Sequence, residues 1–491
     1  MKVLLINAPK YSETIDFPSN TKDLNKGSTS EGPPLGLMYV SSILKENGHE
    51  TEILDLTVQK IKKREIIKKI KNEEIDMVGA ALFFSTVRET LNWLKTIKNH
   101  TNVKTIVGNH LMMYYPGEIV SKWFIDYGII GSALDSLPKL LECVEEDKTD
   151  KIKNIEGIAF REDGKVIVNY PEQLLVNTKN LPMPDIESVD ISNYVSFNGD
   201  EFTNMVTSTG CKGNCTFCDL RNFDYFPRDI PNVLNEIERA LDKDIETIRF
   251  NDSDFLYDRK RVKKLCKEII RRNLNFKWWC MTRVNEVDEE ILSLMKKAGC
   301  QLIWYGIESG SQKVLNNLKK GITIQQIKDA IKITDDVGIT TCGFFMIGNP
   351  GETVEDIEKT IRFSKNLPLS YAQFFKTDGL KPGTPLYEQI KEHLGYDYIE
   401  KTISDKKTNG KIIRPRPWTD LTNEEIDMWY FTAFKSFYFR PKQIIKMMSN
   451  INSFTELLSH LEIGFGILTQ IFKGYVQNFH RDIKNRFTGN T

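Results

Sequence analysis

The chain has 491 residues, 40% of them hydrophobic and 27% charged, and this balance excludes an intrinsically disordered or collagen-like protein. Its 67 lysines and arginines equal its 67 aspartates and glutamates, so a net charge of zero gives no general attraction to nucleic acid or to an anionic membrane. The length predicts about three domains.

Strand and helix patterns alternate through residues 1–150. The strand patterns are KVLLIN, TEILDL, DMVGAALF, KTIVG and YGII, and a helical pattern follows each of them. Because parallel strands need crossover helices that cover the sheet, five such units predict an α/β domain with a five-stranded parallel sheet, flavodoxin-like or Rossmann-like. In the lysine-rich helix QKIKKREIIKKIKNEE the isoleucines recur at helical spacing, which favours a solvated lysine face over a nucleic-acid stripe.

The beginning of the chain predicts a cytoplasmic location. The segment MKVLLINAP is typical of a buried strand that meets a proline, and it lacks the small-residue cleavage site that follows a signal-peptide core. No apolar run in the sequence approaches the roughly 18 residues that cross a bilayer. Reduced thiols are therefore expected.

A β-hairpin and an extended linker are predicted for residues 151–200. The segment GIAFREDGKVIVNY has two alternating runs around Asp163 and Gly164, and NLPMPDIESVD carries the prolines of a linker. In residues 201–390 six further strand-helix units predict a partial (β/α)6 TIM-type barrel, whose chemistry would lie at the C-terminal strand ends. The strand patterns are TNMVTS, TIRFND, KWWCMT, QLIWYGIE, TTCGFFMIG and YAQFFK.

The alternation is lost in residues 391–491, which predict a helical C-terminal domain. Thr422 and Glu425 form a capping-box pattern, and aromatic residues follow at helical spacing. These aromatic residues could line a substrate pocket, although such a stripe is more often plain core. They are Trp418, Trp429, Tyr430 and Phe434.

A later helical pattern, GFGILTQIFKGYVQNFHRDIKNRF, sets basic residues beside apolar ones. Such a helix could touch a membrane, which would suggest a lipid substrate, and packing on the barrel is the favoured alternative. The basic residues are Lys473, Arg481, Lys484 and Arg486.

Three of the eight cysteines, Cys211, Cys215 and Cys218, lie in one loop after the first barrel strand pattern. A structural zinc site normally takes a fourth ligand nearby, and none of the six histidines is close in the sequence. A cubane iron-sulfur cluster takes one ligand per iron, so three cysteines leave one iron free to bind a substrate. A zinc site or a purely structural cluster is the alternative. Four other cysteines lie in helix or strand patterns and are expected in the core: Cys266, Cys280, Cys300 and Cys342.

The cysteine spacing resembles the CxxxCxΦC signature of the radical SAM superfamily, with Phe217 at the aromatic position Φ. The resemblance implies that Cys211, Cys215 and Cys218 bind a [4Fe-4S] cluster whose fourth iron chelates S-adenosylmethionine (SAM), and that Phe217 lies in the SAM site. It also implies an oxygen-sensitive enzyme in which the reduced cluster cleaves SAM to a 5′-deoxyadenosyl radical. The implied partners are an electron donor such as flavodoxin or ferredoxin and a small-molecule or peptide substrate, with no nucleic acid.

The later strand ends carry residues that suit SAM. Asp252 and Asp254 could accept hydrogen bonds from the methionine ammonium, and Arg283 could bind the carboxylate as a fork. Glu308 could bind the ribose hydroxyls, and Gly348 would let the backbone approach the adenine. Each residue alone is also typical of turns and helix caps, but together they resemble the superfamily.

The order of parallel sheet, barrel and helical module resembles radical SAM proteins with an N-terminal cobalamin-binding-type domain. The matching segments are PPLGLMYVSSILKENGHETEILD, ALFFST, IVGNH, GFFMIGNPGET and KPGTPLYE. In that group the corrinoid lies over the C-terminal edge of the sheet, where open α/β folds bind ligands. The residues implied at this edge are Asn7, Pro9, Ser85, Thr86, Gly108 and His110.

Some positions depart from that group's pattern. There is no DxHxxG motif, so a histidine from that position does not ligate cobalt. Asn109 replaces the second glycine after the fourth strand, and the glycine-rich turn after the fifth strand is reduced to GSALD around Gly131 and Asp135.

Methyl transfer to an unactivated carbon is the reaction that the resemblance implies, with cobalamin delivering the methyl group after SAM-derived hydrogen abstraction. The second hypothesis is a cobalamin-independent radical SAM dehydratase, dehydrogenase or cyclase with a vestigial N-terminal domain. The third is a non-catalytic iron-sulfur interaction protein, and the SAM-like strand ends argue against it.

Overall fold

The computed structural model describes residues 1–9, 32–174, 177–196, 199–221, 223–379, 381–404 and 415–449. The basic segment with Lys473, Arg481, Lys484 and Arg486 lies outside these residues, as does much of the predicted C-terminal domain. No helix in the part of the chain that the structure describes is long and apolar enough to cross a membrane.

Seven strands form the N-terminal sheet. They are β1 (Lys2–Asn7), β2 (Glu50–Asp55), β3 (Met77–Ala81), β4 (Lys104–Gly108), β5 (Tyr127–Ile129), β6 (Ile158–Glu162) and β7 (Lys165–Asn169). Their order is β2-β1-β3-β4-β5-β6-β7. The first five are parallel, and their flavodoxin-like order confirms the predicted fold class.

The predicted hairpin is present, but it extends the N-terminal sheet instead of standing apart from it. β6 and β7 pair antiparallel through a two-residue turn at Asp163 and Gly164, whose φ angles are 48° and 76°. β6 also pairs antiparallel with β5. The expected five-stranded sheet is therefore a seven-stranded one.

Helices cover both faces of this sheet because β1 is apolar on both sides. The helices are α1 (Leu35–Glu46), α2 (Lys63–Asn72), α3 (Val87–His100), α4 (Pro116–Val120), α5 (Ala133–Glu145) and α6 (Thr149–Ile152). Val3 and Leu5 belong to the apolar cluster under α1 and α5, whereas Leu4 and Ile6 belong to the cluster under α2, α3 and α4.

Six parallel strands form the second sheet. They are β8 (Thr203–Met205), β11 (Thr247–Phe250), β12 (Lys277–Thr282), β13 (Cys300–Glu308), β14 (Thr340–Ile347) and β15 (Tyr371–Lys376), in that spatial order. The helices between them are α7 (Ile230–Leu241), α8 (Arg259–Arg271), α9 (Glu289–Lys297), α10 (Gln312–Asn317), α11 (Ile324–Asp336) and α12 (Val354–Asn366). All six predicted barrel strands are confirmed.

A two-stranded ribbon that the sequence patterns did not predict brackets the cysteine loop. β9 (Ser208–Cys211) and β10 (Phe223–Pro227) pair antiparallel. Gly210 permits this pairing, because its φ is 87° and a Cβ at this position would lie 1.7 Å from the carbonyl oxygen of Asp224. The loop is therefore tied at both ends.

The described residues after the barrel form four more helices: α13 (Pro385–Leu394), α14 (Tyr398–Ser404), α15 (Asn423–Tyr438) and α16 (Pro441–Ser449). The predicted capping box begins α15: Glu425 N donates to Thr422 Oγ1 at 3.2 Å, and Thr422 N donates to the Glu425 carboxylate at 2.8 Å. Phe434 of α15 is buried against Phe374 of β15, with ring centroids 5.2 Å apart. Together with buried Tyr430, it packs as core.

The N-terminal domain contacts the segments that come just before and just after the barrel in the sequence. Asp55, the last residue of β2, accepts a hydrogen bond from the Tyr194 hydroxyl at 2.7 Å. Asp397 accepts from the hydroxyls of Tyr115 and Tyr387 at 3.0 and 2.5 Å, which joins α4 to the α13–α14 turn. These contacts connect the two sheets, and the domain boundaries at residues 150, 200 and 390 stay a prediction.

Candidate functional site

The cysteine loop is anchored to two other segments of the barrel. Thr216 N donates to the Leu318 carbonyl at 3.0 Å, and the Thr216 carbonyl accepts from Leu386 N at 3.4 Å. Phe217 packs against the apolar cluster that contains Leu386. Cys215 is only 6% exposed. The loop is thus held directly after its central cysteine by two segments distant in the sequence.

The three loop thiols are close enough to interact, because, after burial, the charge of Cys215 adds to the factors that raise the pKa of both Cys211 and Cys218. Gly213 N donates to Cys211 Sγ at 3.3 Å, and burial raises the pKa of the Cys211 and Cys218 thiols. Within the described ranges, no three His, Cys, Asp or Glu side chains converge on a point that could hold a single metal ion. A cubane binds each thiolate through a different iron, so a cluster does not require three side chains on one metal ion.

The expected core cysteines are separate from this loop. All eight cysteines are free thiols, and the four expected core cysteines are at most 2% exposed. They are Cys266, Cys280, Cys300 and Cys342. They behave as small apolar core residues, as predicted.

Asp252 is fully buried and its carboxylate is already occupied. It accepts hydrogen bonds from Thr207 N and Thr207 Oγ1, both at 2.6 Å, and from Ser208 Oγ at 2.5 Å. Asp252 therefore braces the start of β9, three residues before Cys211. Its direct contact with SAM stays a prediction.

Asp254 is nearly as buried, at 3% exposed, but only one of its two carboxylate oxygens has a hydrogen-bond partner among the described residues. Its Oδ1 accepts from Thr282 Oγ1 at 2.7 Å, whereas its Oδ2 has no hydrogen-bond partner among the described residues. Burial raises the pKa of this carboxyl, and the neighbouring Arg283 charge lowers it. A buried acceptor atom without a donor fits a ligand ammonium group.

Arg283 reaches from the end of β12 to the cysteine loop. Its Nη1 lies 3.9 Å from Cys215 Sγ, and its Nη2 donates to the carbonyl of Lys320. Its Nε donates to Asn285 Oδ1 at 3.3 Å. The structure thus brings Arg283, Asp254 and the loop together, as the sequence interpretation expected.

Glu308 is held by a lysine that sequence reasoning missed. Lys320 Nζ lies 2.7 Å from Glu308 Oε1, and both side chains are less than 10% exposed. Glu308 has a φ of 65°, an uncommon backbone for a side chain of this size, and a Cβ on Gly306 would lie 2.5 Å from Lys320 Nζ. Lys320 lies in the loop between α10 and α11, and no local sequence pattern connected it with Glu308.

Gly348 lies in a tight turn after β14. Its φ is 84°, and a Cβ there would lie 2.9 Å from Ile426 of α15. Gly348 N and Asn349 N both donate to Glu352, and burial raises the pKa of this carboxyl to about 7. Trp418 Nε1 donates to the Gly348 carbonyl at 2.9 Å. Contact between Gly348 and adenine stays a prediction.

The residues predicted for cobalamin lie along the C-terminal edge of the N-terminal sheet. Asn7 ends β1 and donates through Nδ2 to Asp55 at 3.0 Å, and Gly108 ends β4. A Cβ on Gly108 would make ordinary van der Waals contact with Ile129 at 3.7 Å, so a small side chain would fit there without a clash. The other predicted residues follow strand ends: Pro9 after β1, and Ser85 and Thr86 after β3.

His110 connects this edge to the cysteine loop. Its Nε2 lies 3.0 Å from Oδ2 of Asp219, the residue that follows Cys218. Lys381 Nζ lies 3.4 Å from the other Asp219 oxygen. Burial alone would raise the pKa of Asp219, but the bond to His110 and the charge of Lys381 lower it to about 2. Asn109 has a φ of 81°, which explains why the related pattern has glycine there.

An apolar cavity of about 320 Å³ opens at the same edge. It lies between the sheet and helices α1 and α5, and Gly108, Asn109 and His110 line its mouth. Leu37, Ile106 and Leu137 are among its apolar walls. A concave, mostly apolar cavity with a few polar groups at its mouth is suited to a large cofactor.

Two family descriptions match this sequence. Residues 205–364 match the Radical SAM superfamily, and residues 22–141 match the B12 binding domain. The first range holds the cysteine loop and the strand ends of the barrel, and the second holds most of the parallel sheet. The predicted order of the two units is confirmed.

Relatives extend the match over the whole chain. An uncharacterized methyltransferase of Pyrococcus horikoshii, PH0819, is 30% identical over 456 residues, which cover 91% of this chain and 94% of the relative. The cobalamin-dependent SAM radical enzyme OxsB, solved with aqua-cobalamin and SAM bound, superposes with a TM-score of 0.68 at 18% identity, covering 96% of this chain and 72% of that one. The methyltransferase TsrM of Kitasatospora setae, solved with cobalamin and a [4Fe-4S] cluster, gives 0.64 at 21% identity, with 79% and 75% coverage. The solved structures support the fold, and the sequence matches show that the chain belongs to the radical SAM superfamily and carries a B12 binding domain before its barrel.

Proposed function

We propose that this chain is a cobalamin-dependent radical SAM methyltransferase that methylates an unactivated carbon. The contact between the cysteine loop and the sheet edge carries the proposal: Asp219, next to Cys218, lies 3.0 Å from His110. Methyl transfer that uses two cofactors needs both in one chamber between the sheet edge and the barrel, and this contact supports adjacent sites for them. The named methyltransferase relative and the cobalamin-bound neighbours support the same assignment.

The SAM side of the chamber would be built by the barrel. Cys211, Cys215 and Cys218 would hold the cluster, and Asp254 would accept the SAM ammonium through its unpartnered oxygen. Arg283, beside Cys215, would bind the SAM carboxylate. Asp252, Phe217, Glu308 and Gly348 would complete the site, with Lys320 fixing Glu308.

The cobalamin side would be built by the sheet edge. When bound, the cluster with SAM supplies a carbon-centred radical, and cobalamin supplies the methyl group. The edge residues would orient the corrinoid, and the apolar cavity would bury part of it away from water. Because His110 Nε2 is held by Asp219, we do not expect this nitrogen to ligate cobalt.

The partners follow from this chemistry. An electron donor such as flavodoxin or ferredoxin would reduce the cluster, and the methyl acceptor would be a small molecule or a peptide. We also propose a cytoplasmic site of action, which the free state of all eight cysteines supports.

The test is an anaerobic assay of the reconstituted full chain with SAM, a strong reductant and cobalamin. We expect about four irons per chain, release of 5′-deoxyadenosine, and release of S-adenosylhomocysteine that requires bound cobalamin. Replacing Cys211, Cys215 and Cys218 together by alanine should abolish iron and both products. The control, Cys280→Ser, should keep its iron because Cys280 is buried in the barrel core.

The products separate the hypotheses. Release of 5′-deoxyadenosine without cobalamin-dependent S-adenosylhomocysteine would favour a cobalamin-independent radical SAM reaction. Release of neither product from iron-loaded protein would favour a non-catalytic iron-sulfur protein. Iron retained by the triple variant would refute the cluster assignment itself.

A further inference from the structure

The two faces of the barrel sheet carry different sets of aromatic side chains. Phe345 and Phe374 stack on one another at 5.3 Å, and Phe374 meets Phe434 of α15, so these rings lie on the helix-covered face. Successive residues of a strand point to opposite faces. Phe344 and Phe375 therefore lie on the concave inner face, where their rings are 5.6 Å apart.

Four aromatic residues on the inner face form what we call the aromatic staircase, one residue on each of β12, β13, β14 and β15. Neighbouring ring centroids are 6.4, 6.1 and 5.6 Å apart. The members are Trp279, Trp304, Phe344 and Phe375.

The staircase rises toward the C-terminal edge of the sheet. The strand register pairs Phe344 with Gly306, two residues beyond Trp304, and pairs Phe375 with Met346, two residues beyond Phe344. Exposure rises along it, from 4% for Trp279 to 44% for Phe375. Trp279, at the lower end, is therefore part of the core, and Phe375, at the upper end, forms an exposed apolar surface.

The upper steps lie beside the proposed SAM site but on different strands. Asp254, Arg283 and Glu308 follow or end β11, β12 and β13, whereas the exposed steps are on β14 and β15. Of the side chains that the structure describes on the inner face of β13–β15, only Glu308 is charged, and it is paired with Lys320. Among the described residues, the inner face of β14 and β15 therefore carries aromatic and other uncharged side chains and no charged one.

We infer that the methyl acceptor carries an uncharged aromatic ring system that stacks on the upper steps of the aromatic staircase. The inference rests on the proposed function, because it names the class of acceptor for the same chamber. A flat ring would cover the exposed apolar wall and gain ring-ring contacts with Phe344 and Phe375. A charged group there would lose its hydration without gaining an ion pair.

The test measures binding of 2-naphthol, a neutral two-ring probe, to the anaerobically reconstituted full chain loaded with SAM and cobalamin. Adjacent phenylalanines give matched variants: Phe344→Leu and Phe375→Leu alter the inner face, and Phe345→Leu and Phe374→Leu alter the helix-covered face. We expect saturable binding that weakens about fivefold in each inner-face variant. The two control variants should lower the melting temperature and keep the dissociation constant of the wild type.

The inference would be overturned if the wild type showed no saturable binding of 2-naphthol. It would also be overturned if the inner-face and the helix-covered-face variants weakened this binding equally. Trp304→Phe should retain binding that Trp304→Leu weakens, because the ring and not the indole nitrogen forms the wall. SAM cleavage and cobalamin retention are measured on the same samples. Their absence from the wild type counts against the proposed function, whereas lost probe binding with both intact counts against the aromatic acceptor.

Discussion

At the scale of single residues, Asp252 and Asp254 show how two similar positions separate in the fold. Asp252 accepts three hydrogen bonds and holds the start of the cysteine ribbon. Asp254 keeps one buried oxygen without a donor in the described part of the chain. One carboxylate is thus used by the fold, and the other is left for a ligand.

Asp254→Asn should weaken SAM binding more than it changes the fold. Losing one hydrogen bond between charged groups costs about 1.5–3 kcal/mol, so we expect the KM for SAM to rise about tenfold to a hundredfold with iron content unchanged. Asp252→Asn tests the other carboxylate, and it should lower the melting temperature because the Asp252 oxygens already accept three bonds. An Asp254→Asn enzyme with the SAM affinity of the wild type would contradict this role.

Local spacing made some of these residues predictable, and long-range pairing hid others. Cys211, Cys215 and Cys218 were identifiable because their spacing within one loop is itself the signal. Lys320 was not, because its pairing with Glu308 depends on the left-handed backbone of Glu308 and on the missing side chain of Gly306. His110 was seen as an edge residue, but its partner Asp219 is more than a hundred residues away.

At the scale of elements, the ribbon β9–β10 determines how the cysteine loop is presented. Neither STGC nor FDYFP shows a sustained alternation in hydropathy, so these two strands were not predictable. The β6–β7 hairpin was predictable from its turn, but its pairing with β5 was not, because strand partners distant in sequence leave no local pattern. A turn is determined by neighbouring residues, whereas the strand that a hairpin pairs with is determined by distant ones.

Gly210→Ala should remove iron although all three cysteines remain. The added Cβ would lie 1.7 Å from the Asp224 carbonyl, so β9 and β10 must separate and Cys211 must move. Gly164→Ala is the control: it also has a positive φ, but no atom lies within 4 Å of the new Cβ, and the cost is only about 1–2 kcal/mol of backbone strain. Iron analysis of both variants after the same reconstitution checks this, and a Gly210→Ala chain with full iron content would refute it.

At the scale of the whole molecule, the fold class and the order of the units were predictable because strand and helix periodicities repeat over hundreds of residues. The contacts between the N-terminal domain and the rest of the chain were not predictable. The contacts of Tyr115 with Asp397 and of His110 with Asp219 join residues far apart in the chain, and each pair consists of residue types that are ordinary on a surface. Only the assembled fold shows that they are buried or half-buried at a junction.

Cobalamin uptake tests the whole assembly. Wild-type protein incubated with hydroxocobalamin should retain about one equivalent through desalting, with a spectrum that lacks histidine ligation. Gly108→Trp or Ser85→Trp should block uptake by filling the sheet edge, and SAM cleavage without acceptor should survive. The control Val166→Trp, on the exposed hairpin strand, should bind normally. A wild type that retains no cobalamin in any redox state would refute the methyltransferase proposal.

The link between His110 and Asp219 has a consequence for chimeric enzymes. His110 follows β4 of the N-terminal sheet, and Asp219 lies in the cysteine loop of the barrel. A chimera that takes its sheet from one relative and its barrel from another inherits the two halves from different parents, and the loop then loses the contact that positions it. Residues 110 and 219 must therefore be exchanged together, and grafting the pair should restore cluster loading in a chimera that lacks it.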